Sequence, residues 1–251
     1  MLVMFFLSAC MTVSANQTTG IGLGTDSGNA GYQLVINTTD SEGLSGSLQI
    51  IIVLTIIALA PSILIMMTSF TRIVIVLHFT RAAVGTQTAP PNQVIIGIAL
   101  FLTFYVMSPV FSEINTVAIQ PYKEGTITSE QAFEYGVRPL KKFMLANTDK
   151  KDLNTMLEIG GLEQLDNPED YSLSVVIPSF ILSELRAAFI MGFLIYIPFI
   201  VIDMVVSSVL MSMGMMMLPP TTISLPFKIL LFVLADGWSL VIVNMLKAIH
   251  V

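Results

Sequence analysis

Cysteine and histidine are nearly missing from this 251-residue chain, which holds one cysteine, Cys10, and two histidines, His78 and His250. A single thiol excludes an intrachain disulfide and any zinc site built from paired cysteines. The two imidazoles lie on different segments, so neither His-dependent catalysis nor a resident metal or cofactor is expected. Charge is equally scarce. Asp, Glu, Lys and Arg make up 11% of the residues, against about 25% in an ordinary soluble domain, while 54% are hydrophobic. That composition excludes a typical soluble enzyme and a disordered chain. A net charge of -6 without a basic patch argues against nucleic acid as a partner.

The few charges are clustered. Of 28 charged residues, 17 lie between Glu113 and Asp170, leaving 11 for the other 193 positions. The chain is apolar material interrupted by one polar insert. Apolar runs of this kind suit membrane helices, because about 20 residues at 1.5 Å per residue cover a hydrocarbon core of about 30 Å.

The order of segments follows from composition. Residues 1–15 form a short apolar run ending in Val13-Ser14-Ala15, the pattern of a cleaved signal peptide. An uncleaved anchor and a lipidated Cys10, after Leu7-Ser8-Ala9, are the other readings. Residues 16–46 carry Gly, Ser, Thr and Asn without apolar periodicity and read as a flexible exported tail. A first apolar hairpin is expected over 47–111, with Pro61 bending its first helix, a connector over 71–93 and a second apolar run from Val94 to Phe111. The polar, acidic insert spans 112–174, with helix formers around Glu130 to Ala146. A second apolar hairpin covers 175–251. Its first helix contains Pro178 and Pro198, its tip is rich in methionine, and its last helix runs from about Ile223 to Ile249. The expected fold class is an all-α integral membrane protein with about four long apolar helices in hairpins and a polar helical insert. Arg72 and Arg81, in a connector without acids, place that connector on the cytoplasmic side and the insert outside.

Charges inside the apolar segments need a partner or a polar cavity. They are Glu184, Arg186 and Asp203 in the third segment and Lys228 and Asp236 in the fourth. Glu184 and Arg186 are two positions apart and point to different helix faces, so each needs a partner elsewhere. Asp203 and Lys228 lie at similar distances on either side of the Met-rich tip and can pair within the chain. Glu184 has no match in depth on that hairpin and favours a neighbouring subunit. A proton or ion relay and a set of pairs that fix packing and assembly are both open readings. Asp203 and Asp236 lack the Gly-x-Gly-Asp setting of intramembrane proteases, and no catalytic role is expected of any residue.

The most unusual string is Met211-Ser212-Met213-Gly214-Met215-Met216-Met217-Leu218-Pro219-Pro220. Methionine is unbranched and soft, so a ring of such side chains can repack around objects of different shape while excluding water. Gly214 permits a sharp bend, and Pro219 and Pro220 stop the preceding helix from continuing. A compliant seal, ordinary core filling and a Cu(I) site are the candidate readings.

Several strings carry a resemblance. Met66-Met67-Thr68-Ser69-Phe70-Thr71-Arg72, Gly85-Thr86, Ala89-Pro90-Pro91-Asn92-Gln93, Leu100 to Phe104 and Met107-Ser108-Pro109 closely resemble the FliP family of flagellar biosynthesis proteins. So do Ser183-Glu184-Leu185, Phe193 to Asp203, Gly214 to Pro220, Leu225-Pro226-Phe227-Lys228 and Asp236-Gly237-Trp238. The likeness covers about residues 48 to 245. It implies a subunit of the type III secretion export gate in the bacterial inner membrane at the flagellar basal body. In such gates several copies assemble with FliQ-like and FliR-like subunits into a helical oligomeric pore, surrounded by a larger export-gate protein, and unfolded flagellar proteins pass through. The family's Met loop acts as a gasket, and the matching positions are Met215, Met216 and Met217, flanked by Met213. The resemblance further implies helices buried in subunit contacts as well as in membrane lipid. A stand-alone ion channel or small-solute transporter and a passive scaffold of a secretion machine are the alternatives.

Overall fold

The computed structural model describes residues 21–22, 35–36, 43–86, 88–165, 167–215 and 219–250. The signal expected at 1–15 and most of the tail lie outside these residues. The described chain is helical, apart from an antiparallel pairing of Ile21–Gly22 with Val35–Ile36. Two parts are distinguished, residues 1–59 and 60–251, and the second holds the packed core.

Helix α1, Gly43–Met66, runs through Pro61 and stops at Met67-Thr68-Ser69. The break comes within a continuous apolar run. There Thr68 turns its hydroxyl back onto Ile65 O at 3.1 Å, the local bonding by which Ser and Thr compete with a helix. The following residues, read as a connector, instead form α2, Phe70–Val84. Its buried positions, Arg72, Ile73, Val76, Leu77, Thr80, Ala83 and Val84, recur at helical spacing on one face. Gly85, at φ +87°, ends it in the left-handed conformation that glycine adopts without strain. Arg81 then closes the turn into the next helix, donating from Nη1 to Pro90 O at 3.0 Å and to Asn92 Oδ1 at 2.7 Å. Burial, followed by the charge of Arg81, holds His78 below its ordinary pKa, and its neutral Nδ1 accepts from Arg81 Nη2 at 3.1 Å.

Helix α3, Asn92–Ile114, passes through a π-helical turn, Asn115–Ile119, into the short α4, Gln120–Lys123. The polar insert supplies α5, Ser129–Ala146, and α6, Lys150–Gly160, both amphipathic. A capping box between Thr128 and Gln131 starts α5, and the Asp149 carboxylate caps α6. Helix α7, Leu173–Ser212, is 40 residues long and contains Pro178 and Pro198. Helices α8, Pro220–Leu234, and α9, Gly237–Lys247, complete the chain.

Parallel packing of α2 along α7 organises the core. Successive contacts advance together along both helices: Arg72 meets Glu184, Phe79 meets Phe189 edge to face at 5.4 Å, and Ala82 O accepts from Tyr196 Oη at 3.2 Å. A Cβ at Gly192 would sit 2.5 Å from the Phe79 ring, so only glycine admits that approach. The main core joins α2, α3, α5, α6, α7 and α9, and includes Phe143, Met144, Val176 and Phe180. A smaller cluster, Ala83, Val84, Phe199 and Phe232, ties α8 to α2 and α7.

About four long apolar helices were expected. Among the described residues two are long and apolar enough to cross a membrane, Asn92–Lys123 and Leu173–Ser212, or three if α8 and α9 count as one span. The last pair is bent by 62°. Asp236, with φ 48°, makes the bend, and Gly237 fits against the Phe232 ring, where a Cβ would come within 2.3 Å. Asp is among the few non-glycine residues that tolerate this backbone region.

Candidate functional site

Helices α7 and α8 form an antiparallel hairpin whose tip is the Met-rich string. At the end of α7, Met215 N–H donates to Leu210 O at 3.1 Å and Gly214 N–H to Met211 O at 3.0 Å. This is the Schellman arrangement, with Gly214 left-handed at φ +75° and, among the described residues, no atom within 4 Å of a Cβ placed there. Pro219 and Pro220 begin α8, where the ring's fixed backbone and missing N–H cost nothing. Met213 and Met215 are 67% and 39% exposed. Met216 and Met217 lie outside the described residues.

A charged pair stands below the tip. Lys228 Nζ donates to Asp203 Oδ2 at 2.5 Å, and Ser224 Oγ donates to Asp203 Oδ1 at 2.6 Å. Both carboxylate oxygens are therefore engaged. The pair sits about ten residues, or about 15 Å, from the tip along either helix. Phe199 stacks near Phe232 at 6.2 Å one turn further down. The sequence did not single out Ser224; its place one turn before Lys228 was the available signal.

At the other end of the bundle, Glu184 is clasped by Arg72 of α2. Arg72 Nε donates to Oε2 at 2.9 Å and Nη2 donates to Oε1, a bidentate pair in which Glu184 is 1% exposed. This corrects the expectation of a partner on a neighbouring subunit. Hydropathy treated Arg72 as a loop charge and so never offered it to Glu184. The alternation of Arg72 and Ile73 with Val76, Leu77 and Thr80 was the missed sign that this arginine belongs to a buried helix face. Arg186 faces the insert instead. Its Nη2 donates to Asp152, which is also buried, and Nη1 lies 3.7 Å from Asp149. Ser183 joins them, donating to Asp152 Oδ2 at 2.7 Å and accepting from Asp149 N–H at 2.9 Å. Ser183, Glu184 and Arg186, all within about one turn, thus lock α7 to α2 on one side and to α6 on the other.

Asp236 is not part of either network. It is exposed at the α8–α9 bend and makes no side-chain cap. Beside that bend, Leu194, Pro198, Phe232, Gly237 and Leu240 line an apolar groove of about 420 Å³.

Comparison with known proteins finds likeness over most of the chain. The FliP family profile matches residues 53–245. The chain is 50% identical over 214 residues to the flagellar biosynthetic protein FliP of Bacillus subtilis strain 168, covering 85% of this chain and 97% of that protein. It is 48% identical over 204 residues to the FliP of Pectobacterium carotovorum subsp. carotovorum, covering 81% and 79%. Over 207 residues it is 50% identical to the FliP of Aquifex aeolicus strain VF5, covering 82% and 87%. With its long apolar helices and this likeness across both halves, the chain belongs to the FliP family, membrane proteins of flagellar biosynthesis.

Proposed function

We propose that the chain is a subunit of the flagellar type III protein export gate, in the inner membrane at the basal body. Several copies assemble there with FliQ-like and FliR-like subunits, inside a larger export-gate protein, into a channel for unfolded flagellar proteins. The exposed α7–α8 hairpin carries this reading. Apolar side chains are exposed on α7 from Phe189 to Met211 and on α8 from Phe227 to Leu234, and methionines stand at the tip. Exposed surface of this extent needs a cover of lipid or protein. A tip of flexible thioethers suits contact with a moving, variable chain.

The chain performs no covalent chemistry in this scheme. Its paired charges serve packing and assembly, because Arg72, Glu184, Asp152, Arg186, Asp203 and Lys228 are already committed to one another. A stand-alone carrier would use such groups to bind its solute. Met213, Met215, Met216 and Met217 form the gasket, with Gly214, Pro219 and Pro220 setting its shape. Replacing Met215, Met216 and Met217 together by Ala should raise ion conductance through the open gate several-fold. Conductance equal to that of the parent would reject the gasket.

A further inference from the structure

Residues 248–250 are held by side chains from distant parts of the chain. Arg72, whose Nε and Nη2 grip Glu184, uses its remaining Nη1 to donate to Ala248 O at 2.8 Å. Asn147 stands at the joint between α5 and α6. Its Nδ2 donates to His250 O at 2.6 Å, and its Oδ1 accepts from His250 N–H at 3.0 Å. A carboxamide set against a peptide in this way makes the two bonds that a neighbouring strand would make, so it reads backbone and ignores the side chain at position 250. Asn147 is itself buried, and Nδ2 also donates to Phe143 O at 2.9 Å. Between the two polar grips, Ile249 enters the main core with Phe143, Met144 and Leu157.

We propose that residues 248–250 act as a strap that seats α9 on the polar insert. Apolar contact through Ile249 supplies adhesion without direction. The bonds from Asn147 and Arg72 supply the register, and they exist only when α5 and α6 have folded and Arg72 has met Glu184. The strap therefore reports that the insert and the bundle are both in place, and it holds the far end of the bent α8–α9 pair. This inference does not depend on what passes through the hairpin.

The test is amide hydrogen exchange on the full chain in detergent. Asn147→Leu removes both side-chain bonds to His250, His250→Pro removes the backbone donor, and His250→Ala changes only the side chain. Asn147→Leu and His250→Pro should speed exchange in residues 245–250 and in α6 by about tenfold, the size expected for losing one or two buried bonds. His250→Ala should leave the parent rates. Parent rates in Asn147→Leu, or equal acceleration in His250→Ala, would overturn the strap. If Asn147→Leu does not accumulate, His250→Pro decides the matter, because it leaves Asn147 in place and removes only the backbone donor. Parent exchange rates in His250→Pro would then reject the proposal.

Discussion

Arg72 and Glu184 show how much depends on single side chains in an apolar bundle. Each would be an isolated charge without the other, and removing one partner of a buried pair costs about 3–5 kcal/mol because the remaining charge is left uncompensated. Arg72→Leu or Glu184→Leu should therefore lower thermal stability in detergent sharply. The double variant should recover much of the loss, since an apolar pair of similar volume replaces a buried ion pair at little cost. A double variant no better than the singles would mean that the pair does more than neutralise itself. The charges of this site were legible in the sequence, because an Asp, Glu, Lys or Arg inside an apolar run stands out. Their partners were legible only where two helices are joined by a tight loop, as for Asp203 and Lys228. Glu184 and Arg72 are separated by 112 positions, and no spacing rule connects them.

At the scale of elements, glycines mark where helices touch. Gly192 lies against Phe79 and Gly237 against Phe232, each too close for a methyl group, whereas no atom of the described residues lies within 4 Å of a Cβ at Gly97 on α3. Gly192→Ala and Gly237→Ala should destabilise by about 1–3 kcal/mol through overpacking. Gly97→Ala should stabilise by about 0.5–1 kcal/mol, as Ala does in a helix interior. Melting of the three purified variants gives the comparison, and a stabilised Gly192→Ala would contradict the parallel packing of α2 on α7. The elements themselves were only partly legible. Residues 129–146 announce α5 through their caps and amphipathic pattern. The break at Met67-Thr68-Ser69 left no periodic trace, because every face of that segment is apolar. Helix α2 was hidden for the opposite reason, since Arg72, His78 and Arg81 gave a buried helix the look of a connector.

On the scale of the whole molecule, the structure changes which residues report on sidedness. Arg72 is buried beside the insert's end of α7, so Arg81, at the other end of α2, alone carries the argument from loop charge. The Asn147 contact with His250 places the end of α9 with the insert, and the α7–α8 hairpin carries the Met tip to the opposite end of the bundle. A cysteine at Thr126 in the insert and one at Met213 at the tip, each in a Cys10→Ser chain, should then differ in labelling. An impermeant maleimide added from the periplasmic side should reach position 126 and spare position 213 until the membrane is permeabilised. Equal labelling of both in intact cells would refute the proposed orientation.

The clasp between α2 and α7 also sets a schedule for biosynthesis. Chains grow at about 5–20 residues per second, so the 112 positions between Arg72 and Glu184 correspond to about 6–22 seconds. Throughout that interval the Arg72 guanidinium lacks the buried carboxylate it pairs with in the folded chain. Whatever receives the nascent chain must shelter one positive charge until the third apolar segment emerges, and a ribosome stalled before residue 184 leaves that charge waiting.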